Sequence, residues 1–111
     1  MGDLNDDPVN ESVTRVLQAT GNRKKAIDGK LFNPWMKLYK AGIGSLAYQD
    51  AWNLFDQIII SPALLDSSQH TFSFRNPVVF NPSFMVNNSG RYKGYPKRTY
   101  DFNKYIGGYS D

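Results

Sequence analysis

The chain has 111 residues, about one domain's length, and a globular composition with 41% hydrophobic residues. Its 13 basic and 10 acidic residues leave a net charge of +3, too mild to argue for nucleic acid on its own. It has no cysteine, which excludes disulfides and thiolate metal centres. No apolar run approaches the ~20 residues of a membrane span.

The acidic opening, "MGDLNDD", has no apolar run of the signal-peptide kind. It leads into a predicted helix with Asn10 as N-cap and Val13, Val16 and Leu17 at helical spacing, stopped at Gly21-Asn22. "RKKAIDGK" reads as a solvated connector. A second short helix is predicted over Asn33 to Lys40, with Asn33 as cap, Pro34 in the first turn and Gly42 at the end. Trp35, Leu38 and Tyr39 share its apolar face.

Two strands follow, Ser45 to Gln49 and Asn53 to Ser61, joined at Asp50-Ala51-Trp52. The second carries Leu54, Phe55, Ile58, Ile59 and Ile60 and reads as covered on both faces. Ser61 to Ser68 suggests a turn of helix and a loop. Thr71 to Phe74 and Val78 to Phe80 read as short extended pieces, and Asn87 to Asp111 as loop, its tyrosines and phenylalanines alternating with bases.

Asp56 is the anomaly, a carboxylate in the middle of "LFDQIII". Burying it costs several kcal/mol, roughly a small domain's whole stability, unless a partner pairs with it. No obvious partner is visible in the sequence. With "GDLNDDP" (Gly2 to Pro8) before it and "GGYSD" (Gly107 to Asp111) after it, "WNLFDQIIIS" (Trp52 to Ser61) resembles the C-terminal half of the endonuclease/exonuclease/phosphatase superfamily, in a bacterial subgroup. The resemblance spans essentially all of residues 1–111. Each motif is weak alone; their order and spacing together are fairly specific.

The resemblance implies an α+β fold, half of a four-layer αββα sandwich with one mainly antiparallel sheet and helices on one face. It implies metal-dependent hydrolysis of a phosphoester, with one divalent cation, usually magnesium. Asp3 and Asn5 would lie beside the scissile phosphate, the carboxylate orienting or deprotonating water and the amide donating to a phosphate oxygen. Asp56 would orient a catalytic histidine, and Asp111 would stand near the metal. In the family that histidine follows the final Ser-Asp, and a metal-binding Glu lies in the first half of the domain. Both are missing from residues 1–111, which gives the expectation of a C-terminal portion that is inactive alone. The expected partners are a phosphate-ester substrate (nucleic acid or a small phosphoester), the N-terminal half of the same domain, and further copies of the chain meeting through an exposed apolar sheet face.

Plainer readings stand beside these. Asp3, Asp6 and Asp7 suit a solvated acidic turn, and Asp56 suits a strand edge. His70, the sole histidine, reads as a loop residue. Arg91, Lys93, Lys97, Arg98 and Lys104 interleave with Tyr92, Tyr95, Tyr100, Phe102 and Tyr105. Most of that stretch reads as rings packed on the fold with charges in water; Arg98 is the exception, a candidate phosphate ligand. A rival function is a binding module that holds nucleic acid or sugar phosphate without cleaving it. A purely structural or interaction role is a third.

Overall fold

The computed structural model describes residues 1–68 and 72–110. Its helices are short and fixed by caps. Asn33 Oδ1 accepts from Trp35 N at 3.1 Å at the start of the helix Trp35–Lys40. That helix ends where Gly42 (φ +77°) donates to Tyr39 O and Ile43 donates to Leu38 O, the paired bonds of a Schellman cap. The connector expectation fails over "RKKAI". Arg23–Ile27 is a helix, capped by Asn22, whose side chain accepts from Lys24 N and Lys25 N. Asn22 therefore starts a helix as well as following the stop at Gly21. Ala26 on its inner face is fully buried. We label these helices α1 (Arg23–Ile27) and α2 (Trp35–Lys40).

The first predicted helix is reduced to one wide π-type turn over Ser12–Val16. Val13 is buried while Val16 is 79% exposed, so only one of its apolar positions reaches the core. Asn10 does not cap it through its side chain, which donates to Asp6 Oδ1 instead.

Three two-stranded antiparallel sheets complete the α+β architecture. Gly2–Asp3 (β1) pairs with Asp56–Gln57 (β4), Leu46–Tyr48 (β2) with Ala51–Asn53 (β3), and Tyr100–Asp101 (β5) with Lys104–Tyr105 (β6). The β2–β3 turn is Gln49-Asp50, both with positive φ (49° and 64°), the two-residue hairpin whose twist suits the flanking strands. Ala51 and Trp52, expected in the connection, therefore lie in β3. Pro62–Leu65 forms the expected short helical turn, of 3₁₀ type. Phe72–Phe74 and Val78–Phe80 join no strand; Thr71 and His70 lie outside the described residues.

The expectation that residues 53–61 form one strand covered on both faces is also corrected. Asn53 belongs to β3, the ladder with β1 is confined to Asp56–Gln57, and a separate bridge joins Ile60 to Phe32. Leu54 and Ile60 are buried, but Ile58 is 43% exposed. The core is small and lies beside this segment. One cluster joins Ala26, Phe32, Ile60 and Leu65; another joins Val13, Ala19 and Met36. The radius of gyration is 16.1 Å, against about 13 Å for a compact chain of this length. Large apolar side chains remain uncovered at Phe72, Val78, Phe80 and Phe102. Among the described residues no helix is long and apolar enough to cross a membrane.

Candidate active site

Strand β1 brings Asp3 directly opposite Asp56 on β4. The next pair along, Leu4 and Phe55, is joined by Leu4 N to Phe55 O at 2.9 Å. Hydrogen-bonded and non-hydrogen-bonded pairs alternate in an antiparallel ladder, so Asp3 and Asp56 form a non-hydrogen-bonded pair. In such a pair the two side chains lie on one face and at their closest. Two carboxylates placed so repel, which normally disfavours the pairing. Asp56 is exposed, which corrects the expectation of burial. The polar side chain that β4 turns inward is Gln57, at 2% exposure. A neutral amide with partners at both ends is far cheaper to bury than a carboxylate.

Gln57 has those partners. Its Nε2 donates to Asp6 O at 2.6 Å, and its Oε1 accepts from Asn33 Nδ2 at 2.7 Å. Asn33, fully buried, passes the chain on to Trp35 N. The turn after β1 is thereby tied to β4 and to the start of α2. A second tie crosses nearby: Asp7 Oδ1 accepts from Leu54 N at 2.7 Å, and both residues are buried. Asp7 is therefore part of the interior, contrary to a solvated acidic turn. Burial and the neighbouring Asp7 carboxylate push the Tyr39 phenol up from its ordinary value.

Asn5 completes the motif. Its backbone N donates to Asp3 Oδ1 at 2.8 Å, which orients that carboxylate. Its φ of +50° lies in the left-handed region, which asparagine tolerates better than most residues. The Asn5 side chain is exposed. Asp6 faces the following turn, where Ser12 and Asn10 donate to its carboxylate at 2.6 Å each and hold its pKa below the ordinary value.

Asp3 and Asp56 line one cavity of about 310 Å³, together with Ser45, Trp52 and Ser110. Ser110 arrives through "GGYS". Gly107 takes φ +78°, and a Cβ on Gly108 would collide with the carbonyls of Lys97 and Arg98. The two glycines let the segment lie against residues 97–99, where Thr99 N donates to Ser110 O at 2.6 Å and Tyr109 N to Lys97 O at 2.7 Å. Asp111 lies outside the described residues. Arg98 bridges Ser110 through its backbone but lines a different cavity, of about 600 Å³. The structure thus brings Asp3 and Asp56 together and separates Arg98 from them. Sequence reading missed Ser45, which lines the same cavity and whose buried Oγ has no partner among the described residues. A serine after "AGIG" carries no signal of that; nor does the isolated Asp7, although "DDP" ahead of a turn hints at a capping carboxylate.

Among the described residues no three His, Cys, Asp or Glu side chains come together. The cavity's acidic donors are the oxygens of Asp3 and Asp56, a set that fits a hard divalent cation held by few carboxylates and completed by substrate oxygens. A model of the Endonuclease/Exonuclease/phosphatase family matches residues 1–111. The chain belongs to that family. Comparisons with curated proteins and with solved structures gave no match. For an endonuclease/exonuclease/phosphatase chain the paired carboxylates acquire a chemical context, because the family's members are hydrolases of phosphoesters.

Proposed function

We propose that this endonuclease/exonuclease/phosphatase domain hydrolyses a phosphoester by in-line attack of water, in the cavity that holds Asp3 and Asp56. The observation that supports the reading best is the pairing of Asp3 with Asp56 on one face at that cavity. A like-charged pair that folding alone disfavours suggests use by a ligand or a reaction. Asp3, oriented by Asn5 N, aligns the attacking water and takes its proton. The Asn5 amide donates to a phosphate oxygen. Asp56 holds the N–H of an imidazole and so fixes its tautomer. Asp111 would help to hold a magnesium ion, which when bound would polarise the phosphate. In the same reading residues 1–111 form one sheet-and-helix half of an αββα sandwich, and the imidazole and further metal ligands come from outside the described residues.

The test is hydrolysis of bis-p-nitrophenyl phosphate and plasmid DNA by the full-length protein that carries this domain, with magnesium and with chelator. Asp3→Ala should lower turnover by about 10²–10⁴-fold. Residues 1–111 alone should show no magnesium-dependent turnover. Full activity of Asp3→Ala would overturn the assignment. The second reading, a module that binds phosphates without cleaving them, is favoured by the basic and aromatic residues that line the 600 Å³ cavity. It predicts retained binding and no hydrolysis in either protein.

A further inference from the structure

The 600 Å³ cavity has a different chemistry from the one lined by the paired aspartates. Arg91, Lys97 and Arg98 supply three cations, and Tyr92 and Tyr95 supply ring faces. Among the described residues none of the three cations has an acidic partner at ion-pair distance, the ion pair present being Arg15–Glu11. Asp50, an acid on the same wall, is engaged by the Tyr95 hydroxyl at 2.6 Å. Asp101 is the other acid there.

The rings are held in place. Tyr95 packs edge-on against Trp52 at 5.4 Å between centroids, and its hydroxyl is tied to Asp50. Tyr92 leans on Tyr95 at 5.8 Å and carries the Arg91 guanidinium over its own ring at 5.5 Å. Tyr92 is nonetheless 52% exposed, so part of it is open to a ligand. Fixed rings beside cations are what a nucleotide needs: a flat surface for the base and positive charge for the phosphate. The volume lies within the range of small-ligand sites, about 300–1,000 Å³. Pro96 lines this cavity and the Asp3–Asp56 cavity alike, so the two adjoin.

We propose that the second cavity is a nucleotide subsite, in which Tyr92 stacks on a base and Lys97 and Arg98 take its phosphate, so that the substrate of this domain is a single-stranded nucleic acid. The inference rests on the phosphoester reading for the adjoining cavity but concerns binding, which is measured separately. A strand with one phosphate beside Asp3 and Asp56 sends a neighbouring nucleotide past Pro96 to Tyr92. Small phosphoesters would fill the first cavity and leave the second unused.

The test is fluorescence anisotropy of the full-length protein with a labelled phosphorothioate oligonucleotide of roughly eight residues, in chelator. Tyr92→Ala should weaken binding at least about fivefold, the lower end of a stacked base's contribution. Tyr92→Phe keeps the ring and should bind as the wild type does. Arg98→Ala should weaken binding and flatten its salt dependence. Lys37→Ala, at a cation that lines neither cavity, should change nothing, and thermal melts of every variant check folding. A nucleoside monophosphate should compete far better than inorganic phosphate or an inositol phosphate. Equal competition by inorganic phosphate, or wild-type affinity in Tyr92→Ala, would overturn the proposal. Hydrolysis lost in Asp3→Ala while Tyr92→Ala binds normally would overturn the subsite alone. Normal hydrolysis in Asp3→Ala with weak binding in Tyr92→Ala would overturn the catalytic reading and leave the subsite standing.

Discussion

Asp3 and Asp56 face one another across an antiparallel pair, at a position where the ladder makes no hydrogen bond and the side chains come closest. Removing one charge should relieve the repulsion. Asp56→Asn is expected to raise the melting temperature by a few degrees in chelator while lowering any phosphoester hydrolysis, the stability–activity opposition of a functional site. Parallel thermal melts and turnover assays check it. A variant that melts lower than wild type would show that the pair stabilises the fold.

Asp7 holds β4's approach through Leu54 N, and both groups are out of water. Asp7→Ala removes a hydrogen bond to a charged group and leaves a buried N–H without its acceptor. The expected loss is about 1.5–3 kcal/mol. Denaturant unfolding measures it, and Asp7→Asn, which keeps an acceptor oxygen, should recover part of the loss.

Asp6 gives the pH dependence. Its folded pKa lies below the ordinary 3.8 because Ser12 and Asn10 donate to its carboxylate. A depressed carboxylate pKa contributes stability above the unfolded value and loses it as pH falls through the folded value. The turn after β1 should therefore be intact at neutral pH and loosen only below about pH 4. Ser12→Ala should move the Asp6 midpoint back up, as read by carboxyl carbon titration in NMR; an unmoved midpoint would count against the hydrogen bond.

The uncovered apolar side chains predict association between copies. Phe72 and Phe102 are 90% and 97% exposed, and Val78 and Phe80 are each 74% exposed. We expect residues 1–111 to self-associate at micromolar to millimolar concentration, as chains with such surface do. Sedimentation velocity across that range checks it: a concentration-independent monomer would contradict it, and Phe80→Ser should shift the distribution towards monomer.

The sequence by itself determined the local events. Asn33, Pro34 and Gly42 set the limits of α2, since caps and left-handed turns depend on a few adjacent residues. Motif order alone led to the family, and with it to Asp3 and Asp56. Only the tertiary structure decided which polar group went inside. In "FDQI" both Asp56 and Gln57 are polar, and nothing in their neighbours ranks them. The choice depends on Asn33 and the Asp6 carbonyl, 24 and 51 residues away, which can satisfy an amide at both ends. The same holds for Arg98, whose nearness in sequence to the terminal motif suggested a shared site. Its backbone does meet Ser110, yet the residue borders the neighbouring cavity and not the one of Asp3 and Asp56, because pairing fixes where the chain runs and leaves the cavity a residue borders to the packing around it.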